Sequence, residues 1–97
     1  MNEKIANAIK ERKKMKVNYN GGWRILEPYC YGISTDDKEA LRAYQKEGYS
    51  KKGKNVDWKF IDIKRIKDME ILEEIFYPDR LEYRKEDKMM KIIYEQI

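Results

Sequence analysis

The middle of the sequence is a succession of short strand-like segments separated by turn residues, and this pattern constrains the fold more than any other feature. Within each segment apolar or aromatic side chains alternate with polar ones, as in half-buried β-strands. Asn20-Gly21-Gly22 tolerates the positive φ of a tight hairpin, and residues 35–38 form a polar turn. The predicted strands cover residues 15–19, 23–26, 29–34, 40–46 and 58–63.

Three further parts of this region depart from the simple alternation of apolar and polar residues. Residues 66–73 fit neither the helical nor the strand period cleanly; a strand is favoured, with a helix as the alternative. Pro28 should end or offset the strand before it, because proline cannot donate a ladder hydrogen bond. Residues 48–56 are rich in glycine and lysine and are expected to form an exposed basic loop.

Helices are expected at both ends of the chain. Residues 3–14 contain good helix formers with one apolar face, and Asn2 is a suitable N-cap. Residues 87–97 are expected to form a short helix that Asp87 caps. The predicted fold is therefore mainly β, of the α+β kind. It is a small, strongly bent antiparallel barrel of about five strands over residues 15–73, flanked by an N-terminal and a C-terminal helix.

The composition excludes most common active sites. The 97 residues include no histidine and one cysteine, so the commonest general base is missing and neither a zinc cluster nor an intrachain disulfide can form. No glycine-rich phosphate-binding motif is present. The acidic pairs Asp36-Asp37 and Glu73-Glu74 fall in an expected turn and in a mixed-charge stretch. We therefore expect a protein that is not an enzyme and that uses no cofactor or metal.

Charge and hydropathy indicate a cytoplasmic domain that tolerates an anionic partner. Charged residues make up 41% of the chain, the net charge is +4 and the pI is near 9.1. No apolar run approaches the ~18 residues of a membrane helix, and the N-terminus lacks the apolar stretch of a signal peptide. We expect one domain over residues 1–97, located in the cytoplasm, with no membrane partner.

A series of short motifs adds a family resemblance to this pattern. In order they are Ala8-Ile9, Val17-Asn18-Tyr19, Arg24-Ile25-Leu26-Glu27-Pro28, Ala40-Leu41-Arg42-Ala43-Tyr44, Trp58-Lys59-Phe60 and Arg65-Ile66. In this order and spacing they resemble the WYL domain family, over roughly Ile5 to Glu73. The namesake Trp and Tyr would fall at Glu39 and Ala40, and Lys59 stands where an arginine is usual. The chain thus looks like a divergent, stand-alone member.

The resemblance implies both a fold and a kind of function. WYL domains have an Sm-like or SH3-like barrel core and occur in prokaryotic transcriptional regulators and in CRISPR- and phage-defence-linked proteins. They are thought to bind nucleic acids or nucleotide-like molecules. For this chain the resemblance implies that Arg24, Tyr44, Lys59 and Arg65 contact the ligand.

The residues themselves support part of this site. Arg24 and Lys59 lie in strands that are otherwise apolar, and Arg42 should share a strand face with Tyr44. Cations beside aromatic rings suit the recognition of a phosphate together with a base. The predicted ligand-binding residues are Arg24, Arg42, Tyr44, Lys59 and Arg65.

An ordinary charged sheet surface is the alternative interpretation of the same residues. Arg24 would then pair with Glu27 or Asp62, and the basic loop would be solvated. Trp23 and Trp58 are expected to belong to the core.

The leading hypothesis is a ligand-binding regulatory module that recognises an anionic ligand, either single-stranded nucleic acid or a nucleotide. Transcription regulation or phage defence would be its setting. The alternative is a protein-interaction or oligomerisation module without affinity for nucleic acid, since an open barrel edge can pair with another strand. The sequence is compatible both with a homo-oligomer and with binding to a protein partner. A third hypothesis is an inhibitor of a phage or host protein.

Overall fold

The computed structural model describes residues 1–97 and contains one α-helix and six strands. The helix α1 spans Glu3–Lys10. The strands are β1 (Lys13–Tyr19), β2 (Gly22–Ser34), β3 (Glu39–Gly48), β4 (Asp57–Asp62), β5 (Ile66–Ile75) and β6 (Met90–Gln96). A three-residue 3-10 turn, Ile63–Arg65, joins β4 to β5. The expectation of a mainly β fold is confirmed, and residues 66–73 form a strand as favoured.

The long strand β2 organises the sheet. Its first half, from Gly22 to Leu26, pairs with β1, and its second half, from Cys30 to Ser34, pairs with β6, while β3 runs along its other edge. The register against β3 shifts between Pro28 and Cys30. Pro28 therefore offsets the strand without ending it, and the two segments predicted on either side of it are one bulged strand.

The sheet is open and strongly curved. All pairs are antiparallel, in the order β4-β3-β2-β1-β5, and β4 and β5 form no ladder with each other, although a closed barrel was expected. Only Ile63–Arg65 separates these two edge strands along the chain. Because so short a connection spans no more than about 15 Å, the two edges must approach each other at this end.

The face of the sheet that packs on α1 is called the inner face. Its fully buried core joins Ile5 and Ile9 of α1 to apolar side chains of β1, β2, β3 and β4. The Asn2 side chain accepts hydrogen bonds from the first helical N–H groups, as expected for the N-cap. α1 ends at Lys10, earlier than the predicted residue 14, because the chain turns at Arg12 (φ 59°) to enter β1. No helix of this structure has the length and apolarity needed to cross a membrane.

The predicted C-terminal helix over residues 87–97 is wrong, because Met90–Gln96 forms β6. The second half of β2 extends beyond the end of β1, and β6 supplies the missing hydrogen-bonding partner along that edge. The β-branched pair Ile92-Ile93 suits this conformation. The tertiary context therefore decides between two conformations that the local sequence allows.

Residues 76–89, called the crossover segment here, connect β5 to β6 without helix or strand. They cross the outer face of the sheet, opposite α1. The Tyr83 ring of this segment lies 4.9 Å from that of Tyr29 on β2 and 6.0 Å from that of Trp58 on β4. Phe76 adds a third contact, with its ring centroid 5.6 Å from that of Tyr29. Aromatic packing thus covers much of the outer face.

Candidate anion-binding site

The strand register places four of the five predicted site residues on two different faces of the sheet, and the fifth, Arg65, lies in the 3-10 turn between β4 and β5. Lys59 lies directly opposite the core residue Ala43, and Arg24 lies opposite a core residue of β1. Opposite residues of antiparallel strands point to the same face, so both cations belong to the inner face. Arg42 and Tyr44 flank Ala43 along β3 and therefore point to the outer face.

Arg24 is a buried arginine whose partners are all uncharged. Only 5% of the residue is exposed. Its Nε donates to the carbonyl oxygen of Tyr19 (3.1 Å) and its Nη1 to Oε1 of Gln45 (3.3 Å), whereas Nη2 makes no hydrogen bond. The guanidinium carbon lies 5.1 Å from the ring centroid of Tyr19 and 5.7 Å from that of Tyr49. Burial lowers the pKa of Arg24, and the two tyrosines oppose this effect.

Lys59 brings a second positive charge close to Arg24. Its Nζ donates to the carbonyl oxygen of Lys54 (2.8 Å) and to Oγ of Ser50 (3.2 Å), so the side chain holds the basic loop against β4. Burial lowers the pKa of Lys59, and repulsion from Arg24 and from lysines of the loop lowers it further. The charge of Asp57 opposes this shift in pKa without forming a salt bridge to Lys59.

Arg65, in the 3-10 turn, extends this arrangement towards solvent. Its guanidinium carbon lies 5.9 Å from the ring centroid of Tyr19, which therefore has two arginines within 6 Å. The Tyr19 hydroxyl accepts a hydrogen bond from the backbone N–H of Asp62 (3.1 Å), which fixes the ring against the end of β4. Successive cation–ring contacts thus connect four residues: Arg65, Tyr19, Arg24 and Tyr49.

Arg24, Lys59 and Arg65 are called the cationic cluster from here on. None of the three forms a salt bridge; the basic residues that do so are Lys10, Lys13, Lys14, Arg42, Arg80 and Lys91. The alternative expectation for Arg24 is not met, because Glu27 contacts Arg80 and Asp62 caps the 3-10 turn. A partly buried positive charge without a carboxylate favours an incoming anion.

Arg42 is engaged on the outer face and lies apart from the cationic cluster. It donates to both carboxylate oxygens of Asp87, with distances of 2.7 Å from Nε and 3.4 Å from Nη2, and lies over the ring of Phe60. Burial alone would raise the pKa of Asp87, but the hydrogen bonds from Arg42 and from the backbone of Met89 hold it below its usual value. The charge of Arg42 is therefore neutralised within the chain.

Tyr44 is half-buried beneath the crossover segment. The guanidinium carbon of Arg80 lies 3.7 Å from its ring centroid, and the Trp58 ring packs edge-on at 5.3 Å. A cavity of about 630 Å³ opens beside this contact, between β3, β4 and the crossover segment, and charges of both signs line it. The structure therefore brings together three of the five predicted residues and places Arg42 and Tyr44 in a different, internally compensated environment.

Three residues of the site were missed by the sequence analysis: Tyr19, Gln45 and Tyr49. Gln45 is fully buried, and its one signal is that a polar residue stands at an inner-face position of β3. The sequence pattern predicts a strand position for Tyr19 and an exposed basic loop around Tyr49, but a ligand-binding role for neither residue. The expectation that Trp23 belongs to the core is wrong, because 45% of it is exposed.

The thiol of Cys30, the one cysteine of the chain, is not available as a nucleophile. Cys30 is fully buried, and burial raises the pKa of its thiol to about 12. A reactive cysteine needs a thiolate that solvent can reach. No cluster of three or more cysteine or acidic side chains is arranged to hold a metal ion.

Comparisons with protein-family models, with curated proteins and with solved structures find no match to this chain.

Proposed function

We propose that this chain is a ligand-binding module that holds a phosphate-bearing anion, in the form of a nucleotide or single-stranded nucleic acid, at the cationic cluster. The observation that carries the proposal is the environment of Arg24. Arg24 is 5% exposed, both hydrogen-bond acceptors of its guanidinium are neutral, and no carboxylate forms a salt bridge with it. A phosphate oxygen would complete its hydrogen bonding and neutralise the charge at once.

The neighbouring side chains support a phosphate over a small monovalent anion. Lys59 adds a compact ammonium and Arg65 a second planar guanidinium, and neither forms a salt bridge, although the charge of Asp57 acts on Lys59. A phosphodiester or polyphosphate presents several oxygens to such a cluster. The tyrosine rings between the cations favour a ligand that also carries a flat group.

The family resemblance belongs to the same proposal. We propose a divergent WYL-like domain with an Sm-like or SH3-like architecture, acting as a cytoplasmic regulatory module in transcription or phage defence. The short connection between the edge strands β4 and β5 supports a barrel-like curvature. The contacts of the inner-face residues Arg24 and Lys59, and of Arg65 in the adjoining 3-10 turn, support the location of the site.

A salt-dependent titration tests the proposal. Short single-stranded DNA and RNA, and a nucleoside triphosphate, are titrated into the protein at low and high salt. We expect binding that weakens with salt, and Lys59→Gln should reduce both the affinity and the slope of log K against log salt, by about 0.7 per lost phosphate contact. Lys38→Gln removes the same charge from an exposed turn and should leave both unchanged.

Two results would overturn the proposal. The first is that no strand and no nucleotide binds at low salt. The second is that Lys59→Gln and Arg65→Gln bind as tightly as Lys38→Gln. Thermal unfolding of each variant separates lost binding from lost folding.

An oligomerisation module is the second candidate, and the open sheet favours it. The outer edges of β4 and β5 have no strand partner within the chain. Unpaired edges are ready sites for strand addition. Light scattering discriminates between the candidates, since a tight oligomer without affinity for polyanions would favour this one.

A further inference from the structure

Tyr49 is an exposed aromatic residue whose ring lies beside Arg24 of the cationic cluster. It follows β3, and 41% of it is accessible to solvent. Its backbone is fixed from both sides, because its N–H donates to the carbonyl oxygen of Trp23 (2.9 Å) and its carbonyl oxygen accepts from Nε2 of Gln45 (2.9 Å). Gln45 also accepts the hydrogen bond from Arg24, so the ring and the guanidinium share one support.

The glycines of the β1–β2 hairpin support the Tyr49 ring from below. A Cβ atom at Gly22 would lie 2.6 Å from Cβ of Tyr49, and one at Gly21 would lie 3.0 Å from Cε2. The ring therefore rests on bare backbone, and a larger residue at either position would displace it. Because the ring is held against this hairpin while 41% of the residue stays exposed, it is already oriented before any ligand arrives.

The position of this ring relative to the charges distinguishes it from the other exposed aromatic residues. Its centroid lies 5.7 Å from the guanidinium carbon of Arg24. Tyr77, which is 77% exposed, belongs to the crossover segment and lies over none of the three cations. Proteins that bind single strands combine cations that follow the backbone with aromatic side chains on which bases stack.

We propose that Tyr49 is the stacking platform for one unpaired base whose phosphate lies on Arg24 and Lys59. This inference rests on the proposed function and narrows its ligand to a nucleotide with an exposed base. A base within a duplex is already paired and stacked, so single strands are preferred over duplexes at this site. Stacking on this ring does not depend on the identity of the base, because every base offers a flat face.

The test compares a short oligo(dT) strand with a strand of the same length made of abasic deoxyribose phosphate. The wild-type chain should bind oligo(dT) roughly 5- to 100-fold more tightly than the abasic strand. Tyr49→Leu should lose this preference and bind both strands as the wild type binds the abasic one, whereas Tyr49→Phe should keep it. Tyr77→Leu is the matched control and should behave as the wild type.

A second readout locates the contact. Irradiation of a bound strand that carries 5-iodouracil should attach the base to Tyr49, as identified by mass spectrometry of the peptides. Cross-linking confined to the outer-face aromatics Trp58 and Tyr83 would overturn the inference.

The outcomes separate this inference from the proposed function. If the wild type binds both strands equally, or if Tyr49→Leu keeps the preference for oligo(dT), the stacking role is overturned while phosphate binding stands. If neither strand binds, the proposed function fails and the stacking role fails with it.

Discussion

Arg24 and Lys59 hold two positive charges near each other on the inner face of the sheet, and no carboxylate forms a salt bridge with either. Burial and the proximity of Arg24 both lower the pKa of Lys59. Like charges at short range destabilise the folded state unless an acidic partner compensates them. A pair without such a partner is typical of sites that receive an anion.

Removing Arg24 should raise the pKa of Lys59. Arg24→Gln deletes the nearby positive charge and retains a polar side chain. The ammonium form of Lys59 is then no longer destabilised by charge repulsion from Arg24. The titration is followed by the ¹³Cε chemical shift of the lysines. Inorganic phosphate or a nucleotide added to the wild type should shift the pKa in the same direction. A titration curve of Lys59 that neither change moves would contradict the electrostatic coupling.

Breaking the Arg42–Asp87 pair should destabilise the fold without changing the affinity for the ligand. Asp87→Asn removes a carboxylate that is largely buried, and we expect a loss of about 2 kcal/mol in the free energy of unfolding at pH 7. Oligonucleotide affinity should stay unchanged, because this pair lies on the outer face. A variant that folds normally but no longer binds would show that the outer face takes part in binding.

The same pair should contribute to acid sensitivity. The pKa of Asp87 is lower in the folded chain than in the unfolded one, so its contribution is complete above the unfolded value of about 4. It is lost as the pH falls through the folded value. The free energy of unfolding, measured with urea, should therefore fall less between pH 7 and pH 3 for Asp87→Asn than for the wild type. Equal differences would contradict this assignment.

Tyr29→Phe should stabilise the protein. The hydroxyl of Tyr29 is buried, and although the backbone of Arg80 lies near it, the two form no hydrogen bond of normal geometry. Its removal relieves an unsatisfied polar group while the ring contacts remain, so we expect a gain of about 1 kcal/mol at neutral pH. Urea unfolding measures the change, and a clear loss of stability would mean that the hydroxyl has a bound partner.

Tyr29→Phe should also reduce the loss of stability in alkali. Burial, assisted by the charge of Glu27, raises the pKa of Tyr29 to about 12. The unfolded chain releases this proton from about pH 10, so the stabilising contribution falls between these two values by about 1.4 kcal/mol per pH unit. The wild type should therefore lose stability faster than the variant across this window. Identical slopes would contradict the raised pKa.

Gly32→Ala should destabilise the sheet by preventing β6 from docking. A Cβ atom at this position would lie 2.0 Å from the backbone carbonyl oxygen of Ile92, and backbone cannot move aside as a side chain can. We expect a loss of about 3 kcal/mol. Thermal unfolding measures it. A substitution without effect would argue that residues 90–96 do not pair with β2.

The hairpins could be predicted because their signals are local. Asn20 and Gly21 adopt positive φ values of 47° and 105°, and Asp37 adopts 64°, which are the conformations that turn residues tolerate best. The alternation within each strand likewise depends on neighbours along the chain. The inner-face position of Ala43 and the outer-face position of Tyr44 follow from that alternation alone.

The conformation of residues 90–96 could not be predicted in the same way. Apolar residues in this segment satisfy a helical period as well as a strand, so the local pattern leaves both open. The vacant edge of β2 beyond Leu26 decides in favour of the strand, and it exists because β1 is shorter than β2.

The sequence by itself determined the strands up to residue 75, the turns between them and the presence of cations in apolar strands, because these depend on residues within a few positions of one another. Only the tertiary structure decided which cations remain without a carboxylate partner. Arg24 and Arg42 carry the same local signal, each on a strand between apolar neighbours. Arg42 meets Asp87, which the crossover segment brings back to the outer face, whereas Arg24 meets only tyrosine, glutamine and backbone groups. Charge compensation acts through space over a few ångströms, so it is fixed by which distant segments the fold brings together.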